Sequence, residues 1–220
     1  MIWKDFSKFV RPDSHAFCSP SKKTWRNWSK EQLLNAYVNS YSQQIGTLLH
    51  AYACENIKKN FKMQKSDKHS LLRYLTVENK IPVVAVDIDR LFSNLMLYVN
   101  DCIGFRMRPE EKMYLNDYFF GTADAIRFTD KNELIIFDLK TGVKPIVDFG
   151  QLENYAALFC AVYKVKPIEL KSLELRLYQN SEIMAVQPDP MIIEPIIDQM
   201  NCFTNEILYF TGETMTNDYR

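Results

Sequence analysis

Residues 134 to 139 read Leu-Ile-Ile-Phe-Asp-Leu, a run of strand length that is apolar except for one carboxylate. A short, almost unbroken apolar run belongs to a central strand covered on both faces, so the chain must supply one layer above it and another below. That requirement constrains the architecture more than any other feature. It also makes Asp138 conspicuous, because a charge in such a strand is costly unless something balances it.

The surrounding sequence can supply both layers. From Glu110 onward the pattern has period two: "KMYLNDYFFGTADAIRF", "ELIIFDLKTG", "KSLELRLYQN" and "EIMAVQ" read as strands. A helix is expected at "GQLENYAALFCAVYK" and another over about 191 to 210. Upstream the spacing is helical. Ser29 and Gln32 form a capping box ahead of "KEQLLNAYVNSY", with Leu33, Leu34, Tyr37 and Tyr41 at helical intervals. A second helix from about Gln43 to Lys62 puts Ile45, Leu49 and Tyr52 on one side and ends in Lys58, Lys59 and Lys62, which suit the C-terminal end of a helix dipole. "SLLRYLTVEN" and "DIDRLFSNLMLYVNDC" read as two more helices separated by an extended "KIPVVAV", and residues 1 to 28 as irregular. The expected fold is α/β (α+β), a central mixed sheet flanked by helices and preceded by an N-terminal helical region. One domain is expected over 1–220, with 1–109 mainly helical and 110–220 the sheet core.

Composition narrows the partners. Lys plus Arg and Asp plus Glu are equal at 27 each, so no global positive field marks a nucleic-acid protein and any such contact must be local. The longest apolar runs, such as "IPVVAV" and "YAALFCAVY", fall short of the ~18 residues of a membrane span. The N-terminal "MIWKDFSKFVRPDS" carries charges where a signal peptide has its apolar centre, so no membrane association and a cytoplasmic location are expected. Cys18, Cys54, Cys102, Cys160 and Cys202 show no metal-ligand spacing and are expected to be free and mostly buried thiols.

Asp138 and Lys140 lie two apart in a strand and so share a face, while Ile135, Phe137 and Leu139 take the other. With a hairpin loop of Thr129 to Glu133, Phe128 opposes Leu134, and Asp124 falls opposite Asp138 on the face of Thr122 and Ile126. Like charges directly opposite each other destabilise a sheet. A divalent cation offsets that repulsion, since Mg²⁺ prefers carboxylate oxygens and water. The plainer alternative is a solvated face on which Lys140 is an ordinary ion-pair partner.

"GTADAI", "IIFDLKTG" and "QLENYAALF" together resemble the PD-(D/E)XK nuclease superfamily, in its RecB-type branch. That branch reads G-x-x-D, then D-x-K, then Q-x-x-x-Y on the following helix, after an upstream helix with a histidine behind a glycine. Gly121 to Asp124, Asp138 to Lys140, Gln151 to Tyr155, and Gly46 with His50 match in order over residues 46 to 155. Ala123 stands where the superfamily's name has proline.

The resemblance implies a deoxyribonuclease, an exonuclease first of all, that hydrolyses phosphodiester bonds with Mg²⁺ or Mn²⁺. On it Asp124, Asp138, the Leu139 main-chain carbonyl and His50 hold the metal, Lys140 positions the attacking water, and Gln151 and Tyr155 steady the site and the DNA strand. The implied partner is DNA, single-stranded or a duplex end, with a protein partner in recombination or replication and a bacteriophage origin in host cytoplasm as further expectations. The related four-cysteine iron–sulfur cluster is not expected, because only Cys160 and Cys202 fall late in the chain. Two other readings remain: a nuclease-fold binding or assembly module that is active only with a partner, and a sequence- or structure-specific endonuclease. Glu111 aligns with no motif position and is left out of the ligands. Each residue also has a plainer reading: His50 as a packed histidine, Gln151 completing a capping box with Asp148, and Tyr155 packing on the sheet.

Overall fold

The structure, a computed structural model, describes Asp5, Lys8 and residues 16 to 212. Helix α1 (Lys30–Asn39) starts at the capping box expected: the Gln32 N–H donates to Ser29 Oγ and the Ser29 N–H to Gln32 Oε1. Ahead of it the two tryptophans pack, with Trp25 Nε1 donating to the Ser19 carbonyl and the Trp28 ring tilted on Phe17. Helix α2 (Ser42–Lys58) buries Ile45, Leu49, Ala53 and Ile57 on one stripe. It stops short of Lys62 because Asn60 turns left-handed and the Phe61 N–H reaches back to the Asn56 carbonyl.

Helix α3 (Lys68–Arg73) widens into a π-turn over Tyr74–Glu78. The extended segment expected at 80–86 is a 3₁₀ turn at Val83–Ala85. Pro82 has no N–H to give a ladder and Lys80 sits at a left-handed φ of 57°, so the apolar "PVVAV" cannot join the sheet. Helix α4 (Ile88–Gly104) is amphipathic and capped by Asp87, whose carboxylate accepts the Arg90 N–H.

Five strands form one mixed sheet in the order β1 to β5. The stretch 112–128 read as one strand is instead the greater part of a hairpin, antiparallel β1 (Arg108–Asn116) and β2 (Phe119–Phe128), turning where the Asn116 side chain accepts the Tyr118 and Phe119 N–H groups; β2 pairs antiparallel with β3 (Glu133–Leu139) in the register expected, Phe128 opposite Leu134. Helix α5 (Gly150–Tyr163) crosses from β3 to its parallel neighbour β4 (Ser172–Gln179), which turns back into β5 (Glu182–Val186). Helix α6 (Glu194–Thr211) follows a 3₁₀ turn at Pro190–Ile193 and packs on α5.

Both faces of β3 are covered, as its sequence requires. On one, Ile135, Phe137 and Leu139 join Ala125 and Tyr178 against Leu49, Leu71, Leu95 and Val99 of α2, α3 and α4. On the other, Leu134 and Ile136 join Ala123, Leu173 and Leu175 against Leu152, Ala156 and Cys160 of α5. Arg176 is held on the first face between Glu174, Asp101 and the rings of Phe105 and Phe137. The five cysteines are free, but only Cys102 and Cys160 are buried; Cys18 and Cys202 are exposed and Cys54 lies between. No helix among the described residues is long and apolar enough to cross a membrane.

Candidate metal centre

Strands β1 and β2 both change face at one register position. Pro109 and Ala125 pair, Glu111 and Ala123 pair, and the ladder is interrupted between them at Glu110 and Asp124. Ala125 packs with the α4-side core and Ala123 with the α5-side core, although residues two apart in a regular strand share a face. Asp124 therefore does not lie on a common face with both Thr122 and Ile126; the alternation slips beneath it. Glu110 carries the strain, with a left-handed φ of 51° that costs a non-glycine residue ~1–2 kcal/mol.

The slip turns two carboxylates out of the regular pleat at the place where the helices of both layers converge. From α2, His50 Nδ1 comes to 3.3 Å from Asp124 Oδ1 and 3.7 Å from Glu110 Oε1. One ligand atom from each of the three lies within 4.8 Å of the others, so His50, Glu110 and Asp124 can hold a metal ion. The other Asp124 oxygen accepts the Leu139 N–H at 2.9 Å, just where the β2–β3 ladder ends. Burial alone would lower the His50 pKa, but its hydrogen bonds to Asp124 and Glu110 raise it to about 10, so the imidazole is charged at neutral pH.

Asp138 lies on the α5 side and is 4% exposed. Lys140 Nζ sits 3.1 Å from its Oδ1 and 2.9 Å from its Oδ2, but the geometry makes a hydrogen bond only to Oδ1. The buried Oδ2 has no hydrogen-bond donor among the described residues. Burial first, then the charge of Asp124, raise the Asp138 pKa from 3.8 to about 6 against the opposing pull of Lys140. Lys140 Nζ also donates to Gln151 Oε1 at 2.6 Å, so Gln151 meets the lysine and does not cap its own helix; Asp148 caps the Gly150 N–H instead.

Glycines allow the two layers to close here. A Cβ on Gly121 would stand 3.0 Å from Tyr155 Cε1, and one on Gly46 3.1 Å from Thr141 Oγ1. Buried amides fix the strand end beyond Lys140. Asn94 Nδ2 donates to the Lys140 and Tyr178 carbonyls, and Gln179 donates to the Gly142 and Lys144 carbonyls while accepting the Ile146 N–H.

All the residues singled out in the sequence thus lie in one region, but in two groups. His50 and Asp124 meet on the α2 side, whereas Asp138, Lys140 and Gln151 meet on the α5 side with Tyr155 next to them. The contact of Leu139 with Asp124 is through its N–H. Glu110 was missed. Glu111, its neighbour, turns to Arg108 and Tyr163. Only the β1–β2 register brings it in: with Met113 opposite Gly121, Glu110 falls opposite Asp124, a pairing hidden while 112–128 is read as one strand.

A cleft of about 810 Å³ opens over the α2 side of the centre, reaching from His50 and Glu110 to Lys58. No family profile and no curated protein matches the chain. The crystal structure of SSO0001 is similar at a TM-score of 0.30 and 13% identity, over 72% of this chain and 86% of that one.

Proposed function

We propose that the chain is a metal-dependent DNA phosphodiesterase, an exonuclease of RecB type. The observation that carries the reading is the pairing of a buried carboxylate oxygen on Asp138, without a hydrogen bond, with a neighbouring His50, Glu110 and Asp124 cluster and an adjacent lysine. Asp124, Asp138 and His50, with the Leu139 carbonyl and Glu110, would hold Mg²⁺ or Mn²⁺. When bound, such an ion supplies Lewis-acid neutralisation of charge on a phosphodiester oxygen and acidifies water.

The chain's own groups supply the positioning. Lys140 carries three N–H donors; Asp138 and Gln151 take two, and the third, with no other hydrogen-bond acceptor among the described residues, would hold an attacking water or a phosphate oxygen. Gln151 fixes the direction of that ammonium, and Tyr155, packed over Gly121, fixes Gln151's side of the site. The protonated His50 and the Lys140 ammonium balance the carboxylates before a cation arrives, and His50 would give up its proton to solvent on ligating one.

The test is digestion of end-labelled linear and closed circular DNA, single- and double-stranded, with Mg²⁺ or Mn²⁺. Wild type should cut linear DNA and spare circles, and Lys140→Ala should lose about 10²–10⁴-fold in rate. Cutting by both proteins alike would refute the role of Lys140.

A second reading has one observation in its favour. Lys140 already covers Asp138, and Asp138 is not among the residues whose ligand atoms converge. A binding or assembly module, active only when a partner draws Lys140 aside, would look the same at rest. Mn²⁺ titration separates the two: a competent centre binds the ion and loses it on Asp124→Ala, whereas a scaffold is indifferent.

A further inference from the structure

On the α5 side of the centre a second cavity, of about 410 Å³, lies between the β1–β2 hairpin and helices α5 and α6. Its size is that of a small-molecule site, for which roughly 300–1,000 Å³ is usual. Rings form its walls. Phe120 of the hairpin is 67% exposed and Phe203 of α6 51%, an unusual degree of exposure for two phenylalanines bordering one cavity. The Phe120 ring lies near-parallel to that of its cross-strand partner Tyr114, 22° off and 6.3 Å between centroids. The polar part of the lining is made of the amides of Asn154, Gln199 and Gln151 and the hydroxyl-bearing rings of Tyr118 and Tyr155, and among the described residues it carries no charged side chain.

The cavity borders the α5 side of the candidate centre through two shared side chains. Gln151 lines it and also accepts the hydrogen bond of Lys140; Tyr155 lines it and covers Gly121, three residues from Asp124. We propose that this cavity receives an unpaired nucleobase of the strand whose phosphodiester lies at the centre, so that the substrate is a single-stranded end. The proposal rests on the hydrolytic reading for what lies next door, but not for the binding itself.

The chemistry selects that occupant. A nucleobase is flat, uncharged and edged with amide-like donors and acceptors, which matches rings beside neutral amides. A phosphate would want a cation in the lining, and here the cation, Lys140, stands outside the cavity, on the far side of Gln151. A purely apolar ligand would leave the three amides unmatched. A base within a duplex has its faces and edge already occupied and enters such a slot only after leaving the helix, so the cavity favours strands that are unpaired beforehand.

The experiment uses the full chain in EDTA, where cleavage cannot interfere. Fluorescence anisotropy reads the binding of a short 5′-labelled oligothymidylate and of a blunt duplex. Wild type should bind the single strand more tightly than the duplex. Phe120→Ala and Phe203→Ala, both at exposed positions and checked for unchanged melting, should each weaken single-strand binding about five- to a hundredfold and leave duplex binding as it was. Gln199→Trp, which fills the cavity without removing a ring, should do the same. Unchanged single-strand affinity in all three variants, or tighter binding of the duplex by wild type, overturns the proposal. Cleavage by wild type together with unchanged binding in the variants would sink the base site and leave the hydrolytic reading standing. Ring-dependent binding by a protein that cuts nothing would do the opposite.

Discussion

Asp138 is ionised against the preference of its surroundings. Its pKa is raised from 3.8 to about 6, by burial first and by Asp124 second. The folded chain then binds a proton more readily than the unfolded one, so ionising Asp138 lowers stability progressively between about pH 4 and pH 6, and the loss is complete above that window. Asp138→Asn removes it. Thermal melts without metal should show the variant above wild type at pH 7, with the gap narrowing towards pH 4, while added Mn²⁺ should raise the melting temperature of wild type and not of the variant. His50 is a base whose pKa is raised from 6.5 to about 10, so its contribution is full below pH 6.5 and lost as pH rises through 10. His50→Gln should therefore cost most stability near pH 6 and little near pH 10. A pH-independent difference would mean that the imidazole is not charged in the folded chain.

At the scale of the elements, close approach is what brings α5 to the centre. Gly121→Ala puts a methyl 3.0 Å from Tyr155 Cε1, and the ring or the strand must give. The expected cost is ~1–3 kcal/mol of stability, typical of overpacking, and, on the proposed nuclease reading, a loss of cleavage from displaced Tyr155 and Gln151. Gly121→Ala paired with Tyr155→Phe should behave no better, since the ring edge and not the hydroxyl makes the clash; denaturant melts of both would decide. The elements themselves were largely legible, because apolar period two and the "LIIFDL" run leave few alternatives for strands, and Ser29 with Gln32 marks a helix start. The β2–β3 register was legible too, from the loop length alone. The slip at Glu110 and Asp124 was not. Between Gly121 and Ala125 the side chains are small, and glycine, threonine and alanine fit either face, so no apolar alternation records the change. That is why Glu110 went unseen and Thr122 was assigned to Asp124's face. In the segment 80–86, apolar content pointed to an extended strand while Pro82 and the left-handed Lys80 ruled a ladder out.

For the whole molecule, the helical and sheet portions of the sequence are not separable in space. The first face of the sheet supplies Ala125, Ile135, Phe137, Leu139 and Tyr178 to the same core as Leu49, Leu71, Leu95 and Val99. A fragment of residues 1–106 keeps four helices but loses the surface they cover. It should show helical circular dichroism without a cooperative thermal transition, and mixing it with 107–220 should restore one. An independently cooperative fragment would instead mean two domains.

The centre depends on this shared core more than the fold does, because His50 comes from one layer, Gln151 from the other, and the strands between them hold Glu110, Asp124 and Asp138. Its parts therefore reach one another only after α5 has been made. A nascent chain that has emerged as far as β3 has its acidic residues but not the helix that steers Lys140, and one missing α2 has no imidazole. The arrangement therefore acts as a safeguard in time: products truncated before α5 lack part of the centre, and whatever chemistry it performs begins only once the chain has been made past Tyr155.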